Sequence, residues 1–389
     1  MAGLAGHRRT LMLPTAEPQE IGYCPHKLQQ ACDLLETWTR QDQLPAAGLA
    51  VGRHGRLAVM QISGRQRPDP DSAPLTSEAV FLVASVTKPV TCAGVMMLID
   101  RGEILLSDRV SRFLPEFAAH GKEKVTLRHL MTHTSGLPDM LPDNDQLRSQ
   151  HQGLAEFVRR TCELELRFPA GHEVSYQSMG IAILSEVVQR VSGQPCRDFL
   201  QQHLFEPLGM RDTVLGAPAS WYEGPEPKIG RVAHVRQTAE AEQTDWHWNT
   251  DYWWTFGAPW GGLLTTPADL SLFMQMMLNQ GQLNGVRILS PAAVGAMTSN
   301  QLCQMPHVPE LDRRCKPWGL GWRLNWPAHS ENFGDLLSPS TYGHWGITGT
   351  VAWADPRNNS FLVLLTTQPQ EPEGRLLAQI SNLVASALR

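Results

Sequence analysis

Along this chain the spacing of apolar positions changes period several times. His26 to Arg40 (HKLQQACDLLETWTR) places Leu28, Cys32, Leu35 and Trp38 near helical spacing, which predicts an amphipathic helix. AAGLAVGRHGRLAVMQISG follows, with two apolar runs flanking His54–Gly55, the pattern of a β-hairpin. The far end mirrors it. GLGWRLNW, STYGHWGI, TVAWADP and NSFLVLLTT read as strands, with DPRNN (Asp355 to Asn359) turning between the last two. GRLLAQISNLVASALR then closes the chain with a helix.

The middle, roughly Ser77 to Asn300, reads as mostly helical. VTKPVTCAGVMMLIDRG is a buried helix ending near Gly102. HEVSYQSMGIAILSEVVQRVSG is a second, stopped by Gly193. TTPADLSLFMQMMLNQG is a third, with Thr266 as cap, Pro267 in the first turn and Gly281 at the end. The simplest architecture is mixed α/β (α+β). An antiparallel sheet from both ends of the chain carries the terminal helices on one side, and a large helical insertion packs on the other. The sheet-bearing part is expected at about 26–76 and 310–389, the helical part at about 77–309. Residues 1–25 read as an N-terminal extension.

Composition narrows the function classes. The chain has 389 residues, 42% hydrophobic and 18% charged, which is globular. A formal net charge of -5 argues against nucleic-acid or anionic-membrane partners. No apolar run approaches the roughly 20 residues of a membrane helix. Arg8–Arg9 keeps twin-arginine export as an alternative, but the apolar TLML that follows is shorter than the roughly 7–15 residues of a signal core, so a cytoplasmic protein is expected. Seven cysteines without a CxxC read as free thiols, with a Cys303–Cys315 pair as the alternative. His129 and His133 (HLMTH) lack the glutamate of HExxH, so no metal and no cofactor are expected.

One stretch carries candidate chemistry. In VASVTKPVT, Ser85 and Lys88 lie one helical turn apart, on the same face. The surrounding apolar residues should desolvate Lys88 and lower its pKa. The positive end of the helix would stabilise a developing serine alkoxide. An SxxK pattern alone also fits a capping serine beside a solvated lysine. A nucleophile further needs a proton relay and an oxyanion hole. VSYQSMG offers Tyr176 and Ser178 near a helix start, and GHWGITGT offers His344 on a strand, followed by Gly346. No G-x-S-x-G is present, since YQSMG lacks the first glycine, so an α/β-hydrolase elbow is not supported.

Ser85-Val-Thr-Lys88, Tyr176-Gln-Ser178 and His344-Trp-Gly346 occur in the order of the three motifs of the serine β-lactamase-like superfamily, which this chain resembles. TLRHLMTHTSGLP, GIAILSEVVQRVSGQPCRDFLQQHLFEPLGMRDT and WGGLLTTPADLSLFMQMMLNQGQLNGVRILSP extend the resemblance from about His26 to the C-terminus. It implies a β-lactamase/transpeptidase-like fold over 26–389 and chemistry through an acyl-serine. Ser85 would be the nucleophile, assisted by Lys88. Tyr176 would act as base in acylation and as acid toward the leaving group, and its ordinary pKa of about 10 would require nearby cations. The N–H groups of Ser85 and Ile347 would form the oxyanion hole, and Gly346 would let substrate approach the strand closely. His133 and Ser135 would support the site.

Two departures bear on substrate. The third motif commonly opens with lysine, here His344, which is mostly neutral at pH 7. The second often ends in asparagine, here Ser178, which reaches less far. Both changes remove affinity for carboxylated amides and favour simple esters. The expected activity is a carboxylesterase on small or medium acyl esters, closest in character to family VIII carboxylesterases. D-amino-acid amidase or peptidase, weak β-lactamase and acyltransferase are the alternatives within the fold, and a non-catalytic binding relative is the alternative outside it. The aromatic DWHWNTDYWWTFGAPWGG reads either as a cleft wall, with Trp260 against substrate, or as ordinary packing or a patch at a subunit contact; Trp345, inside the H-x-G triplet, is a further cleft candidate. The partner is a small ester or amide, and the sequence is silent on oligomeric state.

Overall fold

The computed structural model describes residues 12–325, 331–369 and 374–389. The arginine pair Arg8–Arg9 and Trp326, the last residue of GLGWRLNW, lie outside them. A six-stranded antiparallel sheet is built from β1 (Ala46–Arg53), β2 (Arg56–Gly64), β3 (Arg323–Leu324), β4 (Tyr342–Gly346), β5 (Thr350–Asp355) and β6 (Ser360–Thr366). Its order is β2-β1-β6-β5-β4-β3. The two ends of the chain meet at its centre, where Ala47 pairs with Thr366 and Val51 with Leu362. His54 and Gly55 both take positive φ (52° and 78°), the two-residue turn whose twist suits a hairpin.

The principal helices are α1 (Pro25–Arg40), α2 (Thr87–Asp100), α3 (Asn144–Ser149), α4 (Met179–Ser192), α5 (Asp251–Phe256), α6 (Pro267–Leu278) and α7 (Arg375–Ser386). α1 and α7 cover one face of the sheet, where Leu28, Leu35 and Ile380 pack on Leu49, Val351 and Leu364. α6 lies against the opposite face and joins the helical part to it. This explains its uniformly apolar text, because Leu270 to Met277 is buried all round. Thr266 caps α6 by accepting from the Asp269 N–H. The sheet, the terminal helices and the helical insertion thus stand as the apolar pattern predicts.

Two readings change, and the free-thiol reading of the cysteines holds. The helix expected from His172 begins only at Met179, with Ser178 as its N-cap residue. The preceding residues are held out of the helix by distant partners: Ser175 N–H donates to the His133 carbonyl, Gln177 N–H to His133 Nδ1, and Ser178 N–H to the Asp139 carbonyl. The middle also contains a small three-stranded sheet (Phe81–Leu82, Leu263–Thr265, Val214–Leu215) that ties the Ser85 region to the segment before α6. All seven cysteines are free, so Cys303 and Cys315 do not pair. Among the described residues no helix is long and apolar enough to cross a membrane.

Candidate active site

The nucleophile candidate sits on a constrained turn. Ala84 has φ 45°, a left-handed conformation that costs a residue with a Cβ about 1–2 kcal/mol. Ser85 follows in a single 3-10 turn (Ala84–Val86) that runs directly into α2. The chain just before it is pinned from the far side of the molecule. Thr348 Oγ1 donates to the Leu82 carbonyl (2.8 Å) and Thr350 Oγ1 to the Val83 carbonyl (2.9 Å). Gly346 makes this contact possible, since a Cβ there would lie 2.3 Å from the Val83 carbonyl oxygen. The close approach at Gly346 is therefore made by the chain's own backbone, where substrate was expected. This clamp carries Ser85 and Ile347 into one cleft.

α2 supplies Lys88, which is fully buried. Its Nζ donates to Ser85 Oγ (2.9 Å) and to the Trp260 carbonyl (3.0 Å). Thr87 and Thr91 bond the same segment: Thr87 Oγ1 accepts from the Leu263 N–H and Thr91 Oγ1 donates to the Pro259 carbonyl. One polar strip on an otherwise apolar helix thus fixes the lysine and the 259–263 loop together. Burial lowers the Lys88 pKa to about 7. Asp139 opposes that shift and the Arg323 charge adds to it.

Tyr176 lies over the lysine, with Nζ 4.7 Å from its ring centroid. Removal from water raises its pKa above the ordinary value, while the Arg323 charge and hydrogen bonding to Ser85 pull it back. The ring is wedged against His133 (centroids 4.7 Å apart) and Trp318 (5.9 Å). His133, in a left-handed conformation (φ 59°), therefore supports the site through its ring and through its bond to Gln177. Ser135 is buried and accepts from the Leu137 N–H. His129 is spent on a capping box with Thr126.

Arg323, at the start of β3, was not among the expected site residues. Its guanidinium carbon lies 5.2 Å from the Tyr176 ring centroid, 4.8 Å from Trp318 and 5.6 Å from Trp345, and the residue borders the cleft. The only hint in the text was a lone charge inside the apolar GLGWRLNW. It supplies the permanent cation that the missing lysine of the third motif does not. His344, expected among the catalytic residues with Ser85, Lys88 and Tyr176, is not among the residues that border the cleft. It is buried, its Nδ1 lies 2.7 Å from the Trp345 carbonyl, and its Nε2 has no hydrogen-bond partner among the described residues. Burial, then the Arg323 and Lys88 charges, push its pKa well below the usual histidine range, so it is neutral. Its ring centre is 6.0 Å from that of Tyr176, behind the cleft wall.

The cleft itself holds about 430 Å³. Ser85, Tyr176, Ser178, Trp260, Trp345 and Ile347 all border it, so the other expected contact residues converge. The tryptophan-rich stretch divides its duties. Trp248, Trp253 and Trp260 line the cleft, whereas Trp254 is buried against His234. A serine, a lysine titrating near neutrality and a protonated phenol at hydrogen-bonding range can together support nucleophilic attack on a carbonyl.

A profile of the Beta-lactamase family matches residues 29–386, nearly the whole chain. The chain belongs to the Beta-lactamase family. It is thereby a serine hydrolase of the β-lactamase/transpeptidase-like fold. Among its relatives is a Salmonella agona protein that carries the name of a D-alanyl-D-alanine carboxypeptidase, 26% identical, with 93% of this chain and 87% of the relative covered. A penicillin-binding protein homologue from Caulobacter crescentus superposes with a TM-score of 0.77 at 22% identity, covering 94% of this chain and 99% of the other. A family VIII carboxylesterase does so with a TM-score of 0.72 at 21% identity, covering 93% and 99%. These two likenesses establish the fold.

Proposed function

We propose that the protein is a carboxylesterase that works through an acyl-Ser85 intermediate on small or medium acyl esters. The observation that carries this reading is the 2.9 Å contact between Ser85 Oγ and a buried Lys88 whose pKa lies near 7. About half of such a lysine is neutral at pH 7, and a neutral amine accepts a proton. Tyr176, with its pKa raised, keeps its proton and is better suited to donate it. The resemblance gave Tyr176 both parts, base in acylation and acid toward the leaving group; in this reading it keeps the second and Lys88 takes the first.

Acylation then runs as follows. Ser85 Oγ attacks the ester carbonyl and its proton passes to Lys88 Nζ. The carbonyl oxygen, now negative, lies at the N–H groups of Ser85 and Ile347. As the C–O bond to the alcohol breaks, the departing alkoxide takes the Tyr176 proton, which the Lys88 ammonium replaces. Water next attacks the acyl carbon, gives its proton to Lys88, and the acid leaves as Ser85 regains a hydrogen. The sum is ester plus water to acid plus alcohol. The apolar tryptophan walls and the short Ser178 favour an acyl group without peptide character.

Hydrolysis of a carboxylated D-amide is the second reading, favoured by the Arg323 cation in the cleft. Turnover of a p-nitrophenyl ester series, a D-alanyl anilide and a cephalosporin separates the two. Esters should dominate, and Ser85→Ala should abolish them. D-amide turnover above that of esters would reverse the assignment.

A further inference from the structure

A second cavity of about 430 Å³ adjoins the cleft, and Arg148, Trp248 and Ile347 border both. Arg148 comes from α3, where Leu147 is buried as the anchor. Asn144, one turn earlier on the same face, also lines the cleft. The guanidinium lies flat enough on Trp253 to bring its central carbon within 4.5 Å of the ring centroid. Thr250, which accepts from the Trp253 N–H at the start of α5, holds that platform in place.

Arg148 differs from its charged neighbours. Arg236, on the wall of the second cavity, is paired with Asp42 at 2.6 Å, a carboxylate it shares with Arg65, and bonds Gln368. Arg148 makes no ion pair among the described residues, and its buried Nε has no hydrogen-bond partner. Burial is the main influence on its charge, and the carboxylate that favours that charge, Asp145, is itself exposed. A largely desolvated guanidinium that sits over a tryptophan ring and borders two cavities is built to take a planar anion, because two parallel N–H donors match a carboxylate. The apolar lining around it makes such a pair stronger than it would be in water.

We propose that Arg148 is a specificity-determining residue that receives a carboxylate of the substrate, so that the preferred esters carry an acid group on their acyl or alcohol portion. This rests on the esterase reading and names its substrate class. The anion is held at the junction of the two cavities, both of which Arg148 borders, whereas Arg323 borders the cleft alone.

The test uses two matched pairs. Mono-p-nitrophenyl glutarate against p-nitrophenyl pentanoate places the charge on the acyl side. 3-Carboxyphenyl butyrate against phenyl butyrate places it on the alcohol side. The ratio of anionic to neutral kcat/KM is read for wild type, Arg148→Met and Arg148→Lys. One pair should show a wild-type ratio that falls about tenfold in the methionine variant, mainly through KM, with lysine recovering part of it. Ratios that stay fixed in both pairs, or that fall equally for lysine and methionine, overturn the proposal. Calorimetric binding of monomethyl glutarate to Ser85→Ala, with and without Arg148→Met, reads the anion site without turnover. Loss of that binding with Arg148 supports the site even if ester hydrolysis survives Ser85→Ala and the esterase reading fails. Equal binding to both proteins sinks the anion site while leaving the esterase reading intact.

Discussion

Replacing Lys88 with methionine should make the protein's stability much less dependent on pH. Lys88 is fully enclosed, and its pKa falls from 10.5 to about 7 because burial disfavours the ammonium form. The unfolded chain therefore holds the lysine proton up to about pH 10.4, while the native protein releases it near 7. Between those values the unfolded state binds more protons, so stability rises with pH through this group. Below pH 7 both states are charged and the whole burial cost applies, about 5 kcal/mol for this shift at 1.36 kcal/mol per unit. Integration between pH 6 and pH 9 gives the wild type a gain of roughly 2.5 kcal/mol from Lys88 alone. Lys88→Met keeps the apolar stem but loses two hydrogen bonds, to Ser85 and to the Trp260 carbonyl. That loss does not vary with pH, so it cancels when the stability difference between the two proteins is followed across pH. Urea unfolding at pH 6, 7.5 and 9 measures it. The methionine variant should be relatively more stable at pH 6, with its advantage over wild type shrinking by roughly 2.5 kcal/mol at pH 9. A difference that stays constant across the range would mean that the lysine is charged throughout, and the proposed base would be lost with it.

The same lysine should appear in turnover. kcat/KM for a neutral ester is expected to rise with pH along a limb centred near 7, since the neutral amine is the active form; a flat profile from pH 5.5 to 8.5 would contradict this. Arg323→Met removes the charge that holds down both pKa values, so the limb should move to higher pH and kcat should fall about tenfold, as read from the pH–rate profile. Gly346→Ala should cost roughly 1–3 kcal/mol in urea unfolding and lower kcat together with stability, because its Cβ would meet the Val83 carbonyl that sets Ser85 in place.

Much of the fold was legible because its signals are local. The His54–Gly55 hairpin, the Thr266 cap with Pro267 and the apolar period of α1 are each complete within a few residues. The late start of α4 at Met179 was not legible. Its cause is tertiary: His133 and Asp139, from a different segment, capture the N–H groups of Ser175, Gln177 and Ser178. Of the site, Ser85, Lys88 and Tyr176 could be found from spacing and resemblance together. Arg323 escaped because a single arginine in a strand reads as an edge charge until three rings are seen around it. His344 was found from its motif, but that it stands off the cleft was not legible, since strand pleating turns its neighbour Trp345 toward the cleft.

The central claim is that Ser85 becomes covalently acylated. Intact-mass analysis after exposure to a fluorophosphonate probe tests it most directly. One adduct per chain is expected, mapped to the peptide that contains Ser85, and none on Ser85→Ala. An unmodified wild-type protein, or an adduct that persists in the variant, would contradict the account.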